Sequence, residues 1–273
     1  ALVALAQSDM KRLIAYSSVS HLGFCMLGIF ALNPVGVQGG ALQMVNHGIS
    51  TGALFALVGM LYERYHTREI ARLGGLARRV PVLAFFMLLV TLSSIGLPGL
   101  TGFAGEILIL IGAFQRGWSA GAGPLEMSLR WASVLALGGV VLGAWYMLWL
   151  VQRVFFGPLR EPRQDHGTVA DLSRLEIAAL VPLAVLVFWI GIYPKFFLDR
   201  MAPALESATA AAGQALRDAE PVEGTAERLG PLRAEAPIAP QVSLPPELDS
   251  PRPGDRQHSE IANPPPESVS RAY

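Results

Sequence analysis

Five apolar segments, each close to or beyond the length needed to cross a bilayer, leave this chain very few architectures. They fall at residues 13–32, 40–62, 82–114, 131–155 and 175–193. A lipid core offers no water to backbone N–H and C=O groups, so such segments must satisfy their own hydrogen bonds, and a crossing takes about 20 apolar residues as a helix. The expected fold is all-α, a polytopic membrane helix bundle. Residues 1–7 read as the end of a preceding helix. Composition agrees: 52% of residues are hydrophobic and 15% charged, where soluble domains carry about 25% charged residues.

The segment at 82–114 cannot be one straight crossing. Its 33 residues would span roughly 50 Å as a helix, against a hydrocarbon core of about 30 Å. The stretch GLPGLTG, with Pro98, Gly99 and Gly102, is the expected break, since Pro and Gly are the residues a helix interior tolerates least. Just beyond it stands a carboxylate, Glu106. Interrupted membrane helices are tolerated where their freed backbone groups line a cavity or are packed in protein, and transporters place such breaks against ions. Burial disfavours a carboxylate's charge and a nearby cation favours it, so Glu106 is able to take up or release a proton when a neighbouring charge moves. The other reading is a glutamate paired permanently with Lys or Arg for assembly.

Further polar residues lie where the bilayer makes them expensive. In the second segment Gln43, Asn46, His47, Ser50 and Thr51 recur at helical spacing and share one face. Either they hold helices together through hydrogen bonds, or they form a hydrated polar file in which His47 accepts and donates protons near neutrality. In the first segment Ser17, His21 and Cys25 recur four residues apart. His21 is either satisfied by a local carbonyl or hydroxyl, or part of the same file. Lys11 and Arg12 lie at that helix's mouth, where the bland reading of Lys11 is an orientation anchor. The mixed-charge stretch YERYHTRE (62–69) reads as a solvated connector.

Several function classes lose support. Twenty-one basic residues balance 21 acidic ones, so no charge excess draws nucleic acid. One cysteine permits neither an internal disulfide nor a Cys-based metal cluster. No glycine loop for phosphate and no Ser/His/Asp set is present. The opening ALVALAQSDMKR lacks the charged leader of a signal peptide and reads as part of a longer protein. Basic residues gather on one side: Lys11, Arg12, the cluster Arg64/Arg68/Arg72/Arg78/Arg79, and Arg153/Arg160/Arg163. The positive-inside rule makes that side cytoplasmic. Residues 198–273 form the second region, an Ala- and Pro-rich tail in which 201–220 suits a short helix and the remainder is expected to be disordered.

Four stretches in order carry a resemblance: SDMKRLIAYSSVSHLGF, MVNHGISTGALFALVGMLYERYHTREIARLGGL, LPGLTGFAGEILIL and RVFFGP. Over about residues 1–197 they resemble the antiporter-like membrane subunits of respiratory complex I, the family of subunit M of NADH–quinone oxidoreductase and of NADH dehydrogenase subunit 4. The resemblance implies fourteen transmembrane helices in two inverted repeats, with the third segment here as the discontinuous twelfth. It implies that Glu106 is the functional carboxylate of that helix, where sister subunits L and N tend to carry Lys. It matches His21 and His47 to histidines of a central hydrophilic axis, and Lys11 to the lysine of a DxKR motif. The expected role is proton translocation by His47, Glu106, Lys11 and His21, with Gln43, Asn46, Ser50 and Thr51 supporting. The implied partners are the bilayer and subunits of the L and N type, in a bacterial inner (plasma) membrane. NADH, FMN, iron–sulfur clusters and quinone would belong to other subunits, with no cofactor in this chain. The family's upstream half is absent, so the chain is expected to be the C-terminal portion only. The rivals are a subunit of a multisubunit sodium/proton antiporter or membrane-bound hydrogenase, and a truncated assembly component.

Overall fold

The computed structural model describes residues 1–119, 123–162 and 169–219. Eight α-helices and no strand occur among them: α1 (Leu2–Leu5), α2 (Met10–Phe30), α3 (Pro34–Tyr65), α4 (Pro81–Ser94), α5 (Thr101–Gly117), α6 (Pro124–Phe155), α7 (Arg174–Ile192) and α8 (Lys195–Ala219). By length and composition, α2, α3, α6 and α7 are able to cross a membrane. The protein is an integral membrane protein built as a helical bundle.

Local chemistry sets the helix ends. Asp9 caps α2 by accepting the Arg12 amide at 3.0 Å, and Asn33 caps α3 by accepting the Gly36 amide at 2.8 Å. Proline opens α3, α4 and α6, where its missing N–H costs nothing. Ser173 and Glu176 form a reciprocal capping box at the start of α7. α3 packs against both α2 and α5, and glycines let them close in: a Cβ on Gly39 would stand 2.7 Å from both the Ile109 amide nitrogen and Leu108 Cβ of α5. Small residues serve this purpose where no hydrophobic driving force separates lipid from helix.

The expected break is present. The third apolar segment divides into α4, of 14 residues, and α5, of 17, each shorter than a full crossing. Pro98 and Gly99 lie in the connection at 95–100, where Gly96 (φ +73°) and Gly99 (φ +88°) turn the chain through the left-handed region. Gly102 is different from expectation: it is helical, inside the first turn of α5. Its role is close approach, because a Cβ there would strike the carbonyl of Ser93 on the other half-helix.

Below the break an apolar core fills one end of the bundle. Met10, Leu13, Leu54, Leu57, Leu61, Leu83, Met87 and Phe155 are among its fully enclosed side chains. The basic residues expected to share a face converge at this end, with Arg163 outside the described residues. Arg68 of the connector 62–69 pairs with Asp9 at 3.5 Å and stays 41% exposed; the solvated reading needs correction at Arg64. Arg64 is largely shielded and grips both oxygens of Glu176, at 2.8 and 2.7 Å, because the end of α3 meets the start of α7. Asp171, just before α7, accepts the amides of Val82 and Leu83 at 2.7 and 3.2 Å, tying in the start of α4. At the opposite end Phe197, Leu198 and Met201 of α8 pack beside Leu42, Ala104 and Ile190. Helix α8 therefore runs through the expected boundary at 197/198, and residues 198–219 of the expected tail are helical. The expectation for 220–273 lies outside the described residues.

Candidate functional site: a buried carboxylate at a broken helix

Glu106 sits five residues into α5, and it is buried, with 7% of its surface exposed. Three elements surround the carboxylate. From α2, His21 places Nδ1 3.5 Å from Glu106 Oε1, and His21 is equally buried. From α3, Gln43 donates to the same oxygen at 3.3 Å. From the connection, Gly96 comes so close that a Cβ would lie 2.5 Å from Oε2. No Lys or Arg pairs with Glu106 among the described residues. Within the described residues an imidazole, an amide and a tight glycine turn accommodate this carboxylate.

The polar stripe of α3 divides by partner. Asn46 donates to the carbonyl of Thr101 at 2.7 Å and to Gln43 at 3.4 Å, and Thr101 Oγ1 donates back to Asn46 Oδ1. This amide fastens the first turn of α5 to α3 through both its donor and its acceptor. Ser50 donates to the Asn46 carbonyl at 2.9 Å, within its own helix. His47 lies 3.1 Å from the hydroxyl of Thr51. Its ring centroid is 5.2 Å from that of His21. The imidazole of His47 therefore stands next to the imidazole that touches Glu106.

Two more groups complete the surroundings. Ser94, last residue of α4, places Oγ 3.5 Å from His21 Nε2, so His21 is contacted through both ring nitrogens. Tyr146 of α6 is fully buried, with the hydroxyls of Ser17 and Ser20 of α2 close to its own. Ser94, His21, Glu106 and Tyr146 all line a cavity of about 10 Å³, roughly the volume one water needs. Sequence reasoning missed Ser94, Thr101 and Tyr146. A phenol inside the apolar run GAWYMLW was the available signal for Tyr146, whereas Ser94 and Thr101 gain their meaning only from which helices flank the break.

Lys11 is not brought into this cluster. It is exposed in the first turn of α2, ten residues before His21 and so about 15 Å away along the helix. Cys25 is buried one turn beyond His21, and Ser17 turns back onto the Ile14 carbonyl at 2.7 Å.

The family described as NADH:quinone oxidoreductase/Mrp antiporter, transmembrane, matches residues 1–126, which hold every residue of the cluster except Tyr146. Subunit M of the NADH-quinone oxidoreductase of Rhodobacter capsulatus is 44% identical over 204 residues, 75% of this chain and 37% of that protein. The chain belongs to this family of membrane subunits. A chain of respiratory complex I from Thermus thermophilus, solved with bound NADH, superposes with a TM-score of 0.64 at 36% identity, over 76% of this chain and 41% of that one. A chain of the Mrp complex from Dietzia shares the fold, with a TM-score of 0.62 at 21% identity, over 75% of this chain and 43% of that one. This family member spans about two fifths of the length of the relatives it matches.

Proposed function

We propose that the chain is part of a proton-translocating membrane-arm subunit of an NADH:quinone oxidoreductase, with the membrane domain at 1–197 as its active part. Glu106 is the proton-holding group. Its carboxylate is buried beside a helix break and touches an imidazole rather than a fixed cation, and this observation carries the reading. A proton on His21 and a charge on Glu106 stabilise each other; moving that proton onto the carboxylate leaves two neutral groups. His47, ring to ring with His21, is the next station, and Gln43 holds the accepting oxygen in place. Lys11 acts at a distance, through its charge at the end of α2. The chain binds no cofactor of its own; NADH, FMN, iron–sulfur clusters and quinone belong to partner subunits. Its partners are other membrane-arm subunits, of the L and N type, in a bacterial inner membrane with the basic end cytoplasmic.

In the assembled complex, Glu106→Gln is expected to keep NADH oxidation and assembly while NADH-driven proton uptake falls severalfold. Glu106→Asp, which keeps a carboxylate, should retain more. An unchanged proton-to-electron ratio in Glu106→Gln would sink the proposal. A second reading, a subunit of a multisubunit sodium/proton antiporter, is favoured by the shared fold of the Mrp chain. It requires sodium-dependent proton exchange in vesicles without NADH, and the primary reading requires none.

A further inference from the structure

At the basic end of the bundle, away from Glu106, a cavity of about 480 Å³ opens between the end of α6 and the segment 70–74. Its walls include Trp149, Gln152 and Arg153 of α6 and Phe156, Gly157 and Arg160 beyond it. This is the stretch RVFFGPLR, to which the proton pathway gives no role. Its shape is built in. Gly74 and Arg160 exchange both backbone hydrogen bonds, each at 2.9 Å, and Gly157 turns the chain at φ +94°.

Among the described residues some arginines at this end meet carboxylates and others, Arg72 and Arg78 included, do not. Arg64, Arg68 and Arg79, at the same end, each pair with a carboxylate within 3.5 Å. Arg153 and Arg160 share the cavity, and neither pairs with a carboxylate among the described residues. Arg153 instead lies over the ring of Trp149, 5.2 Å from its centroid. Two guanidinium groups beside one cavity ask for an anion whose oxygens take their planar forks.

Depth identifies the anion. Arg153 stands two residues before the end of the apolar span of α6, with Trp149 one turn further in. Headgroups and the tryptophan belt occupy this level. Phe156, on the cavity wall, is 49% exposed, an apolar surface at the mouth suited to an acyl chain. Basic pockets between membrane helices at a cytoplasmic face are the sites that anionic headgroups occupy. We infer that this cavity binds the phosphodiester headgroup of an anionic membrane phospholipid, through Arg153 and Arg160.

The test uses the full chain, purified in mild detergent and titrated with phosphatidylglycerol or phosphatidylcholine while native mass spectrometry counts bound lipid. The expected result is one phosphatidylglycerol held in preference to phosphatidylcholine. In Arg153→Gln/Arg160→Gln its affinity should fall about twenty-five-fold, each guanidinium being worth a factor of about five. Circular dichroism of the variant checks its helices. Should that variant not fold, Arg153→Lys/Arg160→Lys keeps the charge and loses the forks, and is expected to weaken binding severalfold. Equal retention of the two lipids, unchanged affinity in the glutamine or lysine pair, or displacement of the lipid by millimolar inorganic phosphate would overturn the assignment.

Discussion

Replacing Arg64 with Met tests whether the joint between α3 and α7 holds the bundle together. The guanidinium makes two bonds to Glu176, at 2.8 and 2.7 Å, and reaches the carbonyls of Met60, Ala170 and Asp171 at 2.8, 2.9 and 3.1 Å. The paired side chains are only 13% and 19% exposed, so solvent screens them little. Breaking a fully buried pair by removing one partner costs roughly 3–5 kcal/mol, because the remaining charge is stranded. Glu176 keeps the Ser173 amide at 2.6 Å and some water, which places Arg64→Met near the lower limit, about 3 kcal/mol. Glu176→Gln should cost about 2 kcal/mol, since an amide still accepts from the guanidinium. The double variant should then cost about 3 kcal/mol rather than the sum, a coupling of about 2 kcal/mol. Reversible unfolding of the full chain in mixed micelles, followed by circular dichroism, gives all three values. A coupling below about 0.5 kcal/mol would mean that the two residues act independently and that the joint is not an energetic one.

Three further outcomes follow from the site. Asn46→Ala removes two bonds between α3 and α5, each worth about 0.6 kcal/mol inside a membrane protein, so the same unfolding measurement should register a loss of about 1 kcal/mol. Gly96→Ala forces a side chain into a left-handed position, at about 1–2 kcal/mol, and pushes the Glu106 carboxylate from its present place. Its proton transport should therefore fall further than its unfolding free energy explains. His47→Phe keeps a ring beside His21 and loses the hydrogen bond to Thr51 in its own helix, so stability should change by less than about 0.6 kcal/mol while proton transport drops. Normal transport in this variant would remove His47 from the pathway.

These cases show where the sequence is legible and where it is not. The spanning segments are legible because lipid imposes a length, but their starts are not: α3 begins at Pro34 and α6 at Pro124, ahead of the apolar runs at 40–62 and 131–155. The break was readable at Pro98 and Gly99, and Glu106 stood out because a carboxylate in an apolar run demands an explanation. Gly102 was assigned to the break because composition says only that a glycine is needed, not whether it supplies a turn or a close approach. Arg64 was read as solvated for a related reason: its carboxylate partner lies 112 positions later, and no periodicity connects α3 to the start of α7.

The α3 stripe carries this distinction furthest. Helical spacing puts Gln43, Asn46, His47, Ser50 and Thr51 on one face, and there the two readings, glue or proton file, exclude each other. In the folded bundle a face is wide enough to meet two neighbours. Towards α5, Asn46 binds Thr101 and holds the first turn of that half-helix; towards α2, His47 meets His21. Gln43 touches both arrangements, accepting from Asn46 and donating to Glu106. Part of the stripe is therefore glue, and that glue positions the carboxylate that the proposed pathway uses. A substitution at Asn46 should disturb stability and proton transfer together, and one at His47 only the second. That contrast separates the two roles along a single helix.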